Sequence, residues 1–443
     1  MNASSRPSFV ALGVAAEITE ALAEAGITHA FAIQEYTLPI ALKGSDVIGQ
    51  ARTGMGKTLG FGIPVLDRVF DDATVTAPDG TPRALIVVPT RELCLQVTDD
   101  LTLAAQNLRV PVGAEGASQR KNNKTRALQI QALYGGVGFE KQTAALARGV
   151  DVVVGTPGRL LDLARQGYLQ LGAVEIVVLD EADEMLDQGF LDDVRDIITQ
   201  TSDMRQTMLF SATMPGPIAA LTRTLMRHPV LIQADSAATE ATHDTTRQVV
   251  FQSHKLDRLS ALARILQSPG RGRSIVFART KRQAANVAEE LAELGFRVGA
   301  VHGDMRQNDR EESLGEFRRN EVDVMVATDV AARGIDIEDV THVINYQVPD
   351  DERTYVHRIG RTGRAGNTGT AVSLIGWDEV TRWNAISDAL GLGLQDPPQW
   401  FSSSEEFLAE FDLPNNVGDR VGPARSVKGA ALKVKKSQRR PRR

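Results

Sequence analysis

The chain has 443 residues, more than one hydrophobic core usually supports, and this length predicts about two to three domains. Its composition, 42% hydrophobic and 24% charged, excludes wholesale disorder, a fibrous repeat and a disulfide scaffold. The sequence contains no apolar run near the ~18 residues of a membrane span and no secretion-signal pattern, and Cys94 is its single cysteine. We therefore expect a cytoplasmic protein with no internal disulfide and no multi-thiolate metal site.

Charge is distributed unevenly along the chain. The formal net charge is −6, yet residues 417–443 contain ten Lys or Arg and one acid, Asp419. A basic segment attached to an acidic body predicts either an arm that binds a polyanion or a solvated tail that has no ligand.

Short runs of Val, Ile and Leu, each followed by a helical pattern, predict two successive α/β units with parallel sheets. Polar residues 234–247 lack apolar periodicity and predict a linker between domains 1–233 and 248–390. Residues 391–443 form an extension in which Trp400, Phe401, Phe407 and Phe411 predict a small docking helix ahead of a disordered tail. The predicted strands are 47–49, 84–88, 151–154, 176–179 and 208–210, then 248–251, 274–277, 298–301, 322–327, 342–345 and 370–374.

A glycine-rich segment, ARTGMGKT at 51–58, follows the first predicted strand and precedes a helical pattern. Such a turn directs backbone N–H groups at a phosphate, Lys57 can reach the β and γ phosphates, and the Thr58 hydroxyl can bind Mg²⁺. The alternative is a glycine-rich turn without a nucleotide. The predicted phosphate-binding residues are Ala51, Arg52, Thr53, Gly54, Met55, Gly56, Lys57 and Thr58.

Acidic residues end the apolar run IVVLDEAD at 176–183. A carboxylate at the end of a buried strand is costly unless it is paired or bound to metal. Asp180 is therefore predicted to hold Mg²⁺, and Glu181 to orient and deprotonate an attacking water. The alternative is a carboxylate cluster that caps the next helix.

Four basic residues lie within HRIGRTGR at 357–364, a density that would self-repel on a solvated helix face and indicates an anion ligand. If the segment faces the glycine-rich loop, Arg361 and Arg364 can act as arginine fingers. A contact with an RNA backbone is an alternative for Arg358.

Taken in order, these motifs resemble the DEAD-box ATP-dependent RNA helicases of superfamily 2, which have two RecA-like α/β domains. The basic tail resembles that of the bacterial RhlE-type members. The motifs span residues 9–375 and are ARTGMGKT at 51, PTREL at 89, the Gly135/Gly136 doublet, TPGR at 156, DEAD at 180, SAT at 211, HGDMRQNDR at 302, ATDVAARGIDI at 327 and HRIGRTGR at 357.

The resemblance implies roles around ATP. Gln34 would read the adenine while Phe9 stacks on it, although Ala30–Gln34 replaces the usual Pro-Thr-x-Ile-Gln. Gly334 and Asp336 would contact the nucleotide from the second domain, with Asp336 on the ribose and Arg361 and Arg364 on the γ phosphate. The residues implied to couple hydrolysis to RNA are Asp183, Ser211, Ala212, Thr213 and His357.

The resemblance also implies an RNA path that contacts phosphates and 2′-hydroxyls and reads no base. Its residues would be Thr90, Arg91, Gly135, Gly136, Thr156, Gly158 and Arg159 in the first domain and Gln307, Arg310, Thr328, Arg333 and Arg358 in the second. Residues 113–131 look longer than the family norm, and their cations, among them Arg126, suggest an extra RNA-contacting loop or a solvated insertion.

The resemblance therefore predicts an ATP-dependent RNA helicase that uses ATP and Mg²⁺ and closes its two domains on RNA. One alternative is an RNA clamp that grips RNA without productive unwinding, which Glu181 and Arg361 argue against. Another is a DNA helicase of the same superfamily, which Gln34 and the DEAD tetrad argue against.

Overall fold

The computed structural model describes residues 6–51, 55–111, 125–233, 246–332, 340–363 and 368–427. These residues divide into two compact units, one ending at residue 233 and one beginning at residue 246. In these ranges, no helix combines the length and the apolar character needed to cross a membrane.

The first unit is built on a seven-stranded sheet with the order β5-β6-β2-β7-β8-β1-β9, and every pairing in it is parallel. The five strands predicted for this unit are confirmed, and β5 and β9 are additional edge strands. The strands are β1 (Val47–Gln50), β2 (Ala84–Val87), β5 (Ile130–Leu133), β6 (Val152–Gly155), β7 (Ile176–Asp180), β8 (Gln206–Ser211) and β9 (Val230–Gln233).

Helices cover both faces of this sheet because alternate strand residues point to opposite sides. In β2, Ile86 belongs to one hydrophobic core, whereas Leu85 and Val87 belong to the other. The helices are α1 (Ala16–Glu24), α2 (Ala32–Ala41), α3 (Lys57–Asp71), α4 (Arg91–Ala104), α5 (Glu140–Arg148), α6 (Pro157–Arg165), α7 (Ala182–Asp187), α8 (Leu191–Ile198) and α9 (Gly216–Leu225).

The second unit contains a six-stranded parallel sheet with the order β10-β15-β14-β11-β13-β12. Its strands are β10 (Thr246–Gln252), β11 (Arg273–Phe277), β12 (Val298–Val301), β13 (Val324–Ala327), β14 (Val340–Asn345) and β15 (Gly369–Ile375). All six were predicted, but β10 begins at Thr246, so the last two residues of the predicted linker are strand. The helices are α10 (Arg258–Ile265), α11 (Lys281–Glu293), α12 (Gln307–Arg318), α13 (Asp329–Ala332), α14 (Glu352–Ile359), α15 (Val380–Ala389) and α16 (Glu405–Glu410).

The extension beyond residue 391 belongs to the second core. Phe407 and Phe411 pack against Phe251 of edge strand β10, with ring centroids 5.6 Å and 6.2 Å away. Trp400 stacks on the same ring, and its backbone N–H donates to the Gln252 carbonyl. The docking helix predicted from these aromatics is confirmed as α16, although Phe401 points to solvent.

Part of the predicted basic tail is also anchored to this unit. Asp419 accepts a hydrogen bond from Arg264 at 2.8 Å, and the Val421 N–H donates to the Leu294 carbonyl at 2.9 Å. Backbone contacts continue to Arg425. The tail predicted from residue 417 is therefore docked through that point, while residues 428–443 lie outside the described chain.

The predicted insertion leaves the first unit from an antiparallel pair formed by β3 (Arg109–Pro111) and β4 (Thr125–Ala127). Arg126 makes a two-pronged ion pair with the buried Asp151, at 2.5 and 2.6 Å. Asp151 precedes β6, so this stem lies at the amino ends of the parallel strands. In the structure the Arg126 guanidinium is bound to Asp151 and fastens the stem of the insertion. Residues 113–124 lie outside the described ranges, so the choice between an RNA-contacting loop and a solvated insertion stays a prediction.

We expect Phe407→Ala to destabilise the protein by about 3–5 kcal/mol, because it empties a buried aromatic site between α16 and β10. Urea denaturation of the full chain measures this loss. Phe401→Ala is the matched control, because that ring is 47% exposed and its removal opens no cavity. Equal midpoints for the two variants would show that the extension is not part of the core.

Candidate functional site

The carboxyl ends of three adjacent strands carry the predicted chemistry of the first unit. Gln50 at the end of β1 is paired with Ser211 at the end of β8, and Asp180 at the end of β7 is paired with Phe210. Parallel strands present their carboxyl ends at one edge, where α/β proteins bind ligands. The register therefore brings the loops after β1, β7 and β8 together.

The glycine-rich loop leaves β1 and enters α3 at this edge. The backbone N–H of the buried Ala51 donates to the Ser211 carbonyl at 3.2 Å, and Gly56 adopts a left-handed conformation with φ 79°. Lys57 is buried and Thr58 is half-buried in the first turn of α3, where helix N–H groups have no intrahelical acceptor. Arg52, Thr53 and Gly54 lie outside the described residues.

Asp180 is a buried carboxylate at the end of β7. Burial raises the pKa of its carboxyl group, the nearby Lys57 ammonium lowers it and the charge of Glu181 raises it, so that the pKa moves from 3.8 to about 7. Its Oδ1 accepts one hydrogen bond, from the Glu181 N–H at 2.9 Å. The site thus contains a carboxylate whose ionised form is under-solvated, which a bound cation would stabilise.

Glu181 is held in a strained conformation. Its backbone is left-handed at φ 51° and ψ 52°, a state that costs a non-glycine residue on the order of 1–3 kcal/mol. The side chain is buried, and its Oε2 has no hydrogen-bond partner in the described structure. An acceptor kept free in this way can take a proton from a ligand or a water.

Hydrogen bonds connect this strand end to the neighbouring one. Asp183 Oδ2 accepts from both the backbone N–H and the hydroxyl of Thr213, at 2.9 and 2.8 Å. The Asp183 N–H donates to the Ser211 hydroxyl at 3.1 Å, and Ala212 is contacted through its carbonyl by Gln50. The structure therefore brings together four of the five residues expected to couple hydrolysis to RNA, all but His357.

The donors at this edge fit a magnesium ion held together with a nucleotide. Asp180 supplies a carboxylate and Thr58 a hydroxyl, both hard oxygen donors. Within the described ranges, no group of three or more His, Cys, Asp or Glu could hold a metal by itself. A cation here would need oxygens from phosphate or water to complete its shell.

The two residues expected to contact adenine are both enclosed. Gln34 is 1% exposed; its Oε1 accepts from the Phe31 N–H and its Nε2 donates to the Gly56 carbonyl, each at 2.8 Å. It thus ties α2 to the glycine-rich loop, and its contact with adenine stays a prediction. Phe9 is 2% exposed within the core, and its stacking on adenine likewise stays a prediction.

The residues predicted to contact RNA in the first unit also follow carboxyl strand ends. Thr90 caps α4 after β2, accepting from the Leu93 N–H at 3.3 Å, and Gly135 and Gly136 follow β5. Arg91 lies over the Tyr134 ring at 4.4 Å. The side of Gly135 where a side chain would stand is open, which leaves its backbone accessible.

A second arginine is positioned in the same way by an aromatic ring. Arg159 of α6 lies over the Phe139 ring at 4.4 Å and donates to the Val137 carbonyl at 2.9 Å. Thr156 precedes α6, and Gly158 faces open space. Arg159 is mostly buried and organises the 137–139 loop, so a direct phosphate contact by this residue stays a prediction.

In the second unit, Arg358 has a structural role. It is 1% exposed, pairs with both Asp329 oxygens at 2.6 and 2.7 Å, and donates to Asn345 and to the Gln347 carbonyl. The RNA contact predicted for Arg358 is therefore wrong, because its guanidinium is enclosed and bound to other groups. This pairing joins α14 to α13.

Other predicted residues in and near α14 remain candidates for ligand contacts. His357 and Arg361 line a small cleft with Asp329 and Thr354. Arg310 donates to the Ala331 carbonyl at 2.8 Å, and the buried Thr328 follows β13. The predicted residues Arg333, Gly334, Asp336 and Arg364 lie outside the described ranges, as does the side chain of Gln307.

Comparison with known proteins identifies the family. A model of the DEAD/DEAH box helicase family matches residues 31–221, and a model of the helicase conserved C-terminal domain matches residues 257–366. The chain is 40% identical over 379 residues to the DEAD-box ATP-dependent RNA helicase CshA of Geobacillus kaustophilus, covering 86% of this chain and 76% of that one. The chain belongs to the DEAD-box ATP-dependent RNA helicases.

Other relatives agree with this assignment. The DEAD-box helicase RhpA of Helicobacter pylori is 39% identical over 370 residues, which cover 84% of this chain and 70% of that one. The structure of S. cerevisiae Dbp5 bound to RNA and ADP BeF3 matches with a TM-score of 0.76 at 27% identity, covering 91% of this chain and 98% of that one. The two units are therefore RecA-like domains, as predicted, whereas the RhlE-type subgroup stays a prediction.

Sequence reasoning missed the aromatic partners of the helicase arginines. Tyr134 and Phe139 flank the glycine doublet in the run YGGVGF, and each lies beneath an arginine from a different helix. The local signal was aromatic residues on both sides of glycines, but the arginines are distant in sequence. Asp329, the partner of Arg358, was missed for the same reason.

The raised pKa of Asp180 predicts a pH-dependent cost of folding in the nucleotide-free helicase. Between about pH 4 and 7 the folded protein retains a proton that the unfolded chain has lost, so stability falls as pH rises. Asp180→Asn should therefore raise the free energy of unfolding at pH 8 by about 1–2 kcal/mol, since losing the attraction to Lys57 offsets part of the gain.

Thermal unfolding of wild type and Asp180→Asn at pH 4.5 and pH 8 measures this cost. The variants should differ at pH 8 and converge at pH 4.5. The same substitution at the exposed Asp99 is the control and should change stability little at either pH. A wild type as stable as Asp180→Asn at pH 8 would contradict the argument.

Proposed function

We propose that this DEAD-box helicase hydrolyses ATP at the carboxyl ends of β1, β7 and β8 and uses the reaction to separate short RNA duplexes or remodel ribonucleoproteins. The observation that carries the proposal is the carboxylate pair at the end of β7. Asp180 is desolvated beside Lys57, and Glu181 is strained with a free acceptor oxygen. Such an arrangement is costly to fold and is suited to a phosphate ester, a cation and a water.

Individual roles follow from the chemistry of each group. Lys57 and the N–H groups at the start of α3 would bind the β and γ phosphates, and Thr58 and Asp180 would hold Mg²⁺, which would supply positive charge against the developing negative charge. Glu181 Oε2 accepts a proton from the attacking water. Arg361 and Arg364, with His357, would contact the γ phosphate. Gly334 and Asp336 would contact the nucleotide from the second domain. Hydrolysis is coupled to closure of the two domains.

Asp183 is suited to report the state of the nucleotide to the rest of the protein. It lies three residues beyond Asp180 on the same turn, and the three hydrogen bonds described above all go to the Ser211–Thr213 segment. A displacement at the end of β7 therefore moves the segment after β8. Loss of these bonds would leave ATP hydrolysis unconnected to RNA.

Binding of RNA is expected to be independent of base sequence. Backbone N–H groups near Gly135 and Gly158, with the ring-supported Arg91, suit phosphates and sugars. Contacts to the 2′-hydroxyl would separate RNA from DNA. The protein partners of this helicase and its predicted cytoplasmic location stay predictions.

We expect Glu181→Gln to lower RNA-stimulated ATP hydrolysis by about 10²–10⁴-fold, because an amide cannot accept the water proton. ATP binding should persist, since phosphates contact other groups. Phosphate release with and without single-stranded RNA, and with DNA of the same sequence, measures this. Glu175→Gln makes the same change at the amino end of β7 and should behave as wild type.

The outcomes separate the candidate functions. Stimulation by RNA only, lost in Glu181→Gln, supports the proposal, and duplex separation is then assayed directly. RNA binding by wild type without phosphate release would indicate the clamp. Equal stimulation by DNA would indicate the DNA helicase.

Truncation after Val427 should weaken RNA binding without altering the ATP site. This boundary preserves the docked Asp419 and Val421, which truncation at residue 417 would remove together with the tail. If about five of the cations in residues 428–443 contact phosphates, the slope of log affinity against log salt should become shallower by ~3.5.

Fluorescence titrations of single-stranded RNA at several salt concentrations measure both slopes. A truncated chain that keeps the ATP hydrolysis rate at saturating RNA shows that its core is intact. Identical slopes for the full and truncated chains would reject a role for the tail in RNA binding.

A further inference from the structure

A buried ion pair in the second domain joins two helices that carry no residue predicted to contact ATP or RNA. Arg258, the first residue of α10, is 7% exposed, and Glu379, immediately before α15, is 4% exposed. One guanidinium nitrogen of Arg258 donates to Glu379 Oε2 at 3.0 Å. The Arg258 Nε has no hydrogen-bond partner in the part of the chain that the structure describes. A desolvated ion pair with an unsatisfied donor contributes little to stability, which favours a role in fixing geometry.

Both partners of this ion pair hold the segment that follows β14. A second guanidinium nitrogen of Arg258 donates to the Tyr346 carbonyl at 3.0 Å, and Glu379 Oε1 accepts from the Val348 N–H at 3.3 Å. Glu379 is itself fixed, because its Oε2 also accepts from the Gly376 N–H at 2.9 Å. The ion pair therefore sets the path of the chain between β14 and α14.

The segment held by the ion pair leads directly into α14. Only two residues separate Val348 from Asp351, whose Oδ1 accepts from the Thr354 N–H at 2.8 Å and caps the helix. His357 lies in the last turn of α14 and Arg361 follows the helix, and both line the small cleft described above. Because α14 is only about two turns long, a shift of the segment before it would move both of these side chains.

The helix that follows Glu379 supports α14 a second time. Trp383 lies one turn after Glu379 in α15, and its ring packs edge-on against Tyr355 of α14, with ring centroids 5.2 Å apart. Both rings are fully buried. The start of α15 thus contacts the segment before α14 through a carboxylate, and its next turn contacts α14 itself through an indole.

We propose that Arg258 and Glu379 are positioning residues that set α14, and through it Arg361, for contact with the γ phosphate. The assignment rests on the proposed function, because it requires Arg361 to act on that phosphate. The ion pair itself does not contact ATP; it fixes the backbone from which Arg361 extends. Loosening the pair therefore lowers the rate of hydrolysis at saturating ATP and RNA. ADP affinity is retained, since its phosphates are proposed to contact the first domain.

The test is the turnover rate at saturating ligands. Arg258→Lys replaces a two-nitrogen fork with a single ammonium, so it should lower RNA-stimulated kcat about tenfold or more, because small displacements of a reacting group are costly in rate. ADP affinity should stay within about twofold of wild type. Arg264→Lys makes the same change in the same helix, where the guanidinium binds Asp419 and the Ser402 carbonyl instead, and should keep the wild-type kcat.

A double-mutant cycle separates positioning from stability. Arg361→Lys keeps a positive charge and therefore residual turnover. If the ion pair acts through Arg361, Arg258→Lys should lower kcat no further in the Arg361→Lys background, whereas it should lower the unfolding midpoint equally in both backgrounds. If Arg258→Lys does not fold, the double variant Arg258→Met, Glu379→Gln replaces it, because this variant leaves no buried charge unpaired.

Phosphate release and ADP titration of the full-length variants, alongside thermal unfolding, distinguish the outcomes. A wild-type kcat in Arg258→Lys with a lower unfolding midpoint would overturn the positioning role while leaving the proposed function intact. A further loss of kcat in the Arg361→Lys background would also overturn it, because the ion pair would then act elsewhere, as would a wild-type kcat in Arg361→Lys alone. A wild type without RNA-stimulated hydrolysis would overturn the proposed function itself.

Discussion

Burial of the Asp180 carboxylate is the constraint on which the nucleotide site depends. A parallel sheet covered on both faces by helices leaves the end of β7 dry, and desolvation raises the pKa of this group far above its ordinary value. The Lys57 ammonium offsets part of that cost, and Glu181 adds to it through both charge and backbone strain. In the proposed function, a bound cation and phosphates would offset this cost.

The register of β7, β8 and β1 connects the Asp180 segment to two neighbouring loops. Because β8 lies between β7 and β1, a single backbone ladder links the acidic segment, the Ser211–Thr213 segment and the glycine-rich loop. Asp183 bonds across the ladder to Thr213, and the Ala51 N–H bonds to Ser211. A ligand bound at one of these loops would therefore be in contact with the other two through adjacent strands.

In the first domain, the residues predicted to contact ligands and the stem of the insertion lie at opposite edges of the sheet. Thr90, Gly135 and Thr156 follow carboxyl strand ends, whereas the stem of the insertion is fastened at the amino edge by Arg126 and Asp151. In the second domain, Arg358 is used internally and the extension seals an edge strand with aromatic rings. The structure thus shows that Arg126 and Arg358, which look like other basic residues in the sequence, are paired with carboxylates inside the protein.

The sequence by itself determined the two parallel sheets and the positions of all the strands predicted for them, and it predicted the chemistry of Lys57, Asp180 and Glu181. These follow from local signals: apolar runs, glycine turns and acids at strand ends. Only the tertiary structure decided that Phe9 is enclosed, that Arg358 pairs with Asp329, and that the extension through Arg425 belongs to the second core. The reason is physical: burial and the choice of an ionic partner are set by residues far apart in the chain, and no local pattern encodes them.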